Sequence, residues 1–230
     1  MLAKAISNTT KCTFFNVSPS IIISKYRGDS SKLIKILFDM AKYYSPSVIF
    51  FDEIDCIGSQ RGTNNEHESS RQLKSELLIQ MDGIDNDTNN NVIVLAATNH
   101  PWLIDEALRR RLEKRIYIPL PDFQSRNSLF KLFIKDIIVD DNVNFDELCQ
   151  LTDGYNCQDI SLICRDASMS SMREKLKSFD INEISNIKID QISNPVTHDN
   201  FLDAIKRRKS SVANENIHKY LEWEKQFGSL

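Results

Sequence analysis

The chain has 230 residues, of which 41% are hydrophobic, and carries a formal net charge of -3 with a pI near 5.9. This composition is typical of a folded protein that buries a core, and it lacks the overall positive charge of a nucleic-acid-binding protein. No apolar run approaches the roughly 18 residues that a membrane span requires. The five cysteines form no Cys-x-x-Cys pair, which favours reduced thiols in a cytoplasmic protein over a zinc site or a disulfide framework. We therefore expect no nucleic-acid partner and no membrane insertion.

Strand and helix patterns alternate through the first half of the chain. Short apolar runs predict strands at 13–17, 48–51, 92–97 and 116–118. Helical spacing predicts helices at 1–8, 28–44 and 70–81. In helix 28–44 the predicted buried face is Leu33, Ile36, Leu37, Met40 and Ala41, and in helix 70–81 it is Leu73, Leu77 and Met81. Such alternation indicates a parallel sheet covered by helices on both faces.

After Pro121 the sequence pattern changes to helices alone. They are predicted at 125–136, 145–151, 158–176, 181–187, 197–208 and 215–227. Thr197 is a candidate N-cap of its helix. Tyr220, Trp223 and Phe227 share one face of the last helix, and an aromatic stripe of this kind is more often packed than exposed. We predict an α/β domain over 1–120 and a small helical domain over 121–230, with the boundary at 119–122.

Two adjacent carboxylates, Asp52 and Glu53, follow directly on the apolar run 48–51. Two charges at the end of a buried strand are costly unless they are solvated, paired or bound to a metal. The pattern is that of the Walker B motif of nucleotide-hydrolysing α/β proteins, in which the Asp holds Mg²⁺ and the Glu orients a water molecule. The alternative is a strand that merely ends in a polar turn.

Four stretches in a fixed order resemble the AAA ATPase family. They are 24–28 (SKYRG), 50–55 (FFDEID), 96–99 (AATN) and 105–119 (DEALRRRLEKRIYIP). Within that family, the stretches 26–28 (YRG), 61–63 (RGT) and 101–102 (PW) are most similar to the microtubule-severing katanins. The resemblance implies a P-loop NTPase-like parallel sheet followed by a small helical lid, with ATP and Mg²⁺ as cofactors and assembly into a homo-hexamer.

The same resemblance implies roles for five residues of the large domain. Asp52 would hold Mg²⁺, Glu53 would polarise the attacking water, and Asn99 would contact the γ-phosphate or that water. Arg110 and Arg111 resemble arginine fingers, which the family supplies to the neighbouring subunit, and a guanidinium suits charge that is spread over phosphate oxygens. Alternatively, Asn99 is a turn residue, and the arginines form a solvated basic helix end that the helix dipole stabilises.

In the helical domain, Gly154 and Asp159 match a family segment that lies near the adenine. The family usually has Gly-Tyr-Ser-Gly-Ala-Asp there, whereas this chain has GYNCQD at 154–159. Cys157 replaces a glycine that normally permits close backbone approach. We therefore carry over only Gly154 and Asp159 as candidate nucleotide-binding residues.

Two further segments resemble the pore loops with which AAA rings grip an extended peptide. Tyr26, flanked by Lys25 and Arg27, resembles the first loop, and Arg61 and His67 lie in the segment that resembles the second. The aromatic ring would hold any backbone, while the cations favour acidic side chains such as those of tubulin tails. Outside the family context, the first segment is an ordinary polar loop and His67 a helix-start residue.

The resemblance implies an ATPase that severs microtubules in the cytoplasm and on the spindle, with tubulin as its substrate and a regulatory subunit as a candidate partner. The family's phosphate loop, Gly-x-x-x-x-Gly-Lys-Ser/Thr, does not occur in the 230 residues, and 1–5 resemble the residues that follow it. Without the strand that precedes that loop, we expect strands 92–97 and 116–118 to lack a shared neighbour and ATP binding to be weak. The alternatives are a relative that disassembles membrane-remodelling filaments and a non-hydrolysing fragment that binds full-length partners.

Overall fold

The structure, a computed structural model, describes residues 5–6, 9–19, 22, 29–58, 68–85, 91–176 and 195–229. Contacts divide the chain into two units. Unit 1 consists of Met1–Ile116 together with Glu222–Leu230, and unit 2 is Tyr117–Leu221. The division after Ile116 lies a few residues before the predicted boundary at 119–122, and the contacts assign the C-terminal residues to unit 1 rather than to the helical unit.

Unit 1 is built on a parallel three-stranded sheet. Its strands are β1 (Thr13–Val17), β2 (Ser47–Phe51) and β3 (Val92–Ala96), in the order β1-β2-β3. Phe51 is in register with both Val17 and Ala96, so the three carboxyl ends lie level at one edge. The central strand β2 is nearly all buried, which fits its unbroken apolar sequence. The α/β class and three of the predicted strands are therefore confirmed.

The helices of unit 1 surround this sheet. They are α1 (Ser30–Tyr43), α2 (Asp55–Gly58), α3 (Glu68–Asp85), a short 3₁₀ helix (Pro101–Leu103) and α4 (Glu106–Arg111). The predicted stripe of α3 is confirmed, because Leu73, Leu77 and Met81 are buried in the core that also contains Phe51. Burial of this stripe removes large aliphatic side chains from water, and each stabilises the fold by about 1.5–3 kcal/mol.

The predicted buried face of α1 is wrong in part. Ile36 and Met40 are 54% and 44% exposed, whereas Ile34 and Phe38 are completely buried. The helix carries two overlapping apolar stripes, and its 3.6-residue period does not say which of them faces the sheet. The structure buries the stripe that contains the large Phe38 ring.

The predicted strand at 116–118 is also wrong, because 112–122 has no regular secondary structure. Ile116 and Ile118 are 80% and 64% exposed. A strand requires hydrogen bonds from a neighbouring strand, and an apolar run cannot supply that neighbour by itself. Among the described residues, β3 pairs only with β2.

Unit 2 is helical, as predicted. Its helices are α5 (Phe123–Phe133), α6 (Phe145–Leu151), α7 (Cys157–Leu176) and α8 (His198–Arg207), and the unit includes the first half of α9 (Asn214–Phe227). Phe130 and Phe201 are fully buried, and their rings pack edge to face at 6.4 Å between centroids. Thr197 caps α8 and forms a capping box with Asn200, which confirms the predicted N-cap. The helix predicted at 181–187 lies outside the described residues, and none of the described helices is long and apolar enough to cross a membrane.

Candidate functional site

Backbone hydrogen bonds fix the chain where it leaves the sheet at the carboxyl edge. The amide of Asp52 donates to the carbonyl of Val17 at 3.1 Å, which joins the end of β2 to the end of β1. On the other side, the amide of Ala97 donates to Phe51 at 2.8 Å and the amide of Ile54 donates back to Ala97 at 3.1 Å. The turn after β2 is therefore held between the ends of its two neighbouring strands.

Asp52 and Glu53 are both exposed at this edge, so water solvates the two charges that end the buried strand. The amide of Glu53 donates to Asp52 Oδ1 at 3.1 Å. Glu53 also has a φ of 54°, in the left-handed region that residues with a side chain rarely occupy. Such a conformation costs about 1–3 kcal/mol and occurs preferentially at functional sites. The expectation of a plain polar turn does not account for this strained residue.

The turn after β3 lies at the same edge and is tied to the turn after β2. Thr98 Oγ1 donates to Asp55 Oδ1 at 2.6 Å and accepts a hydrogen bond from the amide of His100 at 2.9 Å. These bonds fix the backbone on both sides of Asn99, whose side chain is exposed. The structure thus brings Asp52, Glu53 and Asn99 to one edge of the sheet, as the sequence predicted.

The two candidate arginine fingers on α4 have different surroundings. Arg110 is 74% exposed, and its guanidinium pairs with Glu106 one turn earlier on the same helix at 2.6 Å. The guanidinium of Arg111 instead forms two parallel bonds of 2.7 Å to the carboxylate of Asp82 on α3. These bonds hold the pKa of Asp82 below its usual value. Arg110 is therefore the more available of the two for a neighbouring molecule, whereas Arg111 joins α4 to α3.

A buried ion pair that the sequence analysis missed positions the start of α4. Lys74 on α3 contacts Asp105 at 2.7 Å, and the side chains of the pair are only 7% and 15% exposed. The other carboxylate oxygen of Asp105 caps α4 by accepting from the amide of Leu108 at 3.0 Å. One carboxylate therefore joins both helices. No local pattern marks this pair, because the two residues are far apart in the sequence.

The third arginine of the run, Arg109, stacks its guanidinium over the ring of Phe227 at 4.1 Å. The amide of Ser229 donates to the carbonyl of Arg115 at 2.9 Å, and the amide of Arg115 donates to Ser229 Oγ at 3.2 Å. These contacts explain why Glu222–Leu230 belongs to unit 1. They also agree with the expected packing of the aromatic stripe.

Gly154 and Asp159 both lie in unit 2, at the start of α7. Gly154 has a φ of 75°, which favours glycine there. The carboxylate of Asp159 is buried, and its Oδ2 accepts hydrogen bonds from the amide and the hydroxyl of Ser211 at 3.1 and 3.0 Å. The amide of Asp159 in turn binds Asn156 Oδ1 at 2.8 Å, as in a helix-capping pair. Asp159 therefore has a structural function within unit 2, and its contact with a nucleotide stays a prediction.

The candidate pore residues Lys25, Tyr26, Arg27, Arg61 and His67 lie outside the described residues. Their roles stay predictions from the sequence.

The donors at the sheet edge suit a magnesium ion that arrives with a nucleotide. Mg²⁺ prefers oxygen ligands and is usually held by one or two protein carboxylates, with phosphates and water completing the shell. Asp52 and Glu53 supply exposed carboxylates of this kind. No group of three or more His, Cys, Asp or Glu side chains that could hold a metal occurs in the described part of the chain.

Family models match three successive parts of the chain. Residues 1–120 match the model of the ATPase family associated with various cellular activities, AAA. The chain belongs to the AAA ATPase family. Within this AAA ATPase, 142–186 match the AAA+ lid domain and 180–228 match the Vps4 C-terminal oligomerisation domain.

Known proteins place the AAA ATPase beside the katanin subunits. It is 48% identical to the katanin p60 ATPase-containing subunit A1 of Strongylocentrotus purpuratus and 47% identical to the A-like 1 subunit of Homo sapiens, covering 100% of this chain and 46% and 48% of those proteins. The chain thus spans about half the length of the curated relatives it matches.

Two solved structures resemble the AAA ATPase closely. The crystal structure of the FIGL-1 AAA domain superposes with a TM-score of 0.88 at 37% identity, covering 100% of this chain and 74% of that one. A structure from work on the structural basis for katanin self-assembly superposes with a TM-score of 0.78 at 36% identity, covering 96% and 71%. These matches confirm the predicted fold class.

Proposed function

We propose that this AAA ATPase severs microtubules by pulling tubulin tails through the pore of a homo-hexamer, with ATP and Mg²⁺ as cofactors. The observation that carries the proposal is the placement of Asp52, Glu53 and Asn99 at one carboxyl edge of the sheet, in a chain that matches katanin p60 subunits along its whole length. The name of those relatives supports the substrate, and the katanin self-assembly structure supports the ring. We infer a cytoplasmic location on microtubules, and a regulatory subunit as a further partner.

Phosphoryl transfer requires mainly positioning and neutralisation of charge. The bound Mg²⁺ would offset the negative charge of the phosphates. Asp52 holds the ion through its exposed carboxylate, and Glu53 orients the attacking water. Asn99 donates from its amide to the γ-phosphate or to that water.

The neighbouring subunit would complete this site with a guanidinium from α4. Arg110 extends to solvent and releases only a surface pair with Glu106 when it reaches a phosphate, so its recruitment costs little. Arg111 would have to leave its two bonds to Asp82. We therefore assign Arg110 the direct contact, and we assign Arg111 to the support of α4 on α3.

Substrate gripping is assigned to the pore residues on sequence grounds. Tyr26 holds the peptide backbone between the rings of successive subunits, and Lys25 and Arg27 attract the acidic tail. Arg61 and His67 form the second loop.

The test is a severing assay on fluorescent, surface-bound microtubules, run with the longest protein that the transcript encodes and paired with a measurement of phosphate release. Glu53→Gln should abolish both severing and ATP hydrolysis. Tyr26→Ala is the matched variant: it should abolish severing and leave basal hydrolysis, because Tyr26 contacts substrate and not nucleotide. Severing by the Glu53→Gln protein would overturn the proposal, and so would unchanged severing by the Tyr26→Ala protein.

A second candidate is a non-hydrolysing subunit that binds full-length partners. The observation that favours it is that no Gly-x-x-x-x-Gly-Lys-Ser/Thr segment occurs in the 230 residues. Calorimetry with Mg-ATP discriminates the two functions. A protein encoded by the transcript that binds no ATP, yet enters katanin rings and changes their severing rate, would support the second candidate.

A further inference from the structure

A basic stretch that ends in two serines connects α8 to α9. Its sequence over 206–212 is KRRKSSV. Arg208 lies three residues before Ser211, Lys209 lies two before it, and the apolar Val212 follows it. Kinases that select basic substrates read a pattern of this kind through acidic pockets on their own surface. Ser211 is exposed and lies in irregular backbone, so it is accessible to such an enzyme.

Ser211 is also a point at which this stretch is held on the rest of unit 2. Its hydroxyl donates to the buried Asp159 Oδ2 at 3.0 Å and accepts from Asn156 Nδ2 at 2.9 Å. Its amide donates to the same Asp159 oxygen at 3.1 Å. Beside it, the Tyr155 hydroxyl donates to the carbonyl of Arg208 at 2.8 Å. Residues 208–211 are thereby fastened to the turn that begins α7.

We propose that Ser211 is a phosphorylation site for a basophilic serine/threonine kinase, and that the phosphate releases 208–212 from the turn at 154–159. The kinase transfers the γ-phosphoryl group of ATP to Ser211 Oγ. A new P–O bond forms to Oγ, the bond from the γ-phosphorus to ADP breaks, and the hydroxyl proton passes to the catalytic aspartate of the kinase. ADP leaves, and nothing is oxidised or reduced.

The release follows from charge. A phosphoserine carries about -1.5 to -2 charges near neutral pH, and it would replace a hydroxyl that donates to a carboxylate. Asp159 is only 4% exposed, so water screens the repulsion poorly. The phosphate also attracts the guanidinium of Arg208, which now binds Asp166. Both effects weaken the contacts between the stretch and α7.

The neighbouring Ser210 fits the pattern less well. It is half-buried, and its hydroxyl donates to the carbonyl of Gly154 at 2.9 Å. The residue that follows it is the polar Ser211 rather than an apolar side chain. The structure therefore assigns the modification to Ser211.

The test begins with the full chain, the catalytic subunit of the cyclic-AMP-dependent protein kinase and Mg-ATP, with the phosphate located by mass spectrometry. We expect one phosphate on Ser211, loss of incorporation in Ser211→Ala, retention in the matched variant Ser210→Ala, and slower incorporation in Arg208→Ala. A chain that takes up no phosphate would overturn the proposal, and so would one phosphorylated only on Ser210 or one whose labelling is unaffected by Arg208→Ala.

Hydrogen–deuterium exchange on the phosphorylated chain tests the release. The amides of Ser211 and Asn156, which donate to Asp159, should exchange about tenfold faster or more, because each loses a bond to a charged acceptor. Peptides around Phe130 serve as the unaffected control in the same unit. Asp159→Asn should reduce the effect of the phosphate, since the repelling charge is gone. Unchanged exchange at 154–160 and 208–212 would refute the release. Neither readout depends on ATP hydrolysis by the chain, so its failure is distinct from failure of the proposed function.

Discussion

The buried pair of Lys74 and Asp105 offers a quantitative test of how unit 1 is held together. Replacing Lys74 with Met fills similar space and removes the charge, so Asp105 keeps a carboxylate that is only 15% exposed without its cation. Removing one partner of a buried pair typically costs about 3–5 kcal/mol. A domain has about 5–15 kcal/mol of stability in total, so this single change removes a large part of it. The double variant Lys74→Met with Asp105→Asn should recover most of the loss, because Asn caps a helix as well as Asp does.

Urea denaturation followed by tryptophan fluorescence measures this loss, because both tryptophans, Trp102 and Trp223, belong to unit 1. The matched control is Arg110→Ala, which breaks a pair that is 74% and 66% exposed and should cost less than about 1 kcal/mol. A loss of less than about 1 kcal/mol for Lys74→Met would refute the reasoning. A double variant no more stable than the single one would refute it as well.

Two further predictions concern backbone strain and burial. Because Glu53 has a φ of 54°, Glu53→Gly should be more stable than Glu53→Ala by about 1 kcal/mol in the same denaturation assay, and the Gly and Ala variants of Lys11, whose φ is 52°, should differ in the same direction; equal stabilities at both positions would contradict the conformation. Burial raises the pKa of the Cys164 thiol to about 12, so at pH 8 iodoacetamide should label the exposed Cys157 well before Cys164 in the folded chain, and equal labelling by mass spectrometry would show that Cys164 is accessible.

The sequence predicts those features that one local pattern specifies. An unbroken apolar run followed by two carboxylates locates β2 and its functional end, because a strand buried on both faces has no room for polar residues. The stripe of Leu73, Leu77 and Met81 is similarly unambiguous, and so is the cap at Thr197. Each depends on residues a few positions apart.

Features that depend on distant partners could not be predicted in the same way. The run of three arginines on α4 looks uniform in the sequence, yet Arg109 stacks on Phe227, Arg110 pairs with Glu106 and Arg111 binds Asp82. Only Glu106 lies within a helical turn of its partner. The other contacts need the fold itself. The wrong strand at 116–118 has the same origin, since its sequence is suitable but pairing requires a neighbour elsewhere in the chain.

The paired backbones of Arg115 and Ser229 define how unit 2 is connected. The chain leaves unit 1 after Ile116 and re-enters it at Glu222, so unit 2 is an insertion with two covalent attachments. A protease that cuts the peptide backbone once within Tyr117–Leu221 therefore releases no fragment: each half stays linked to unit 1 through its own attachment. Freeing the helical unit requires two cuts, one near each junction. The same topology makes the loops of unit 2 candidates for new termini in a circularly permuted protein.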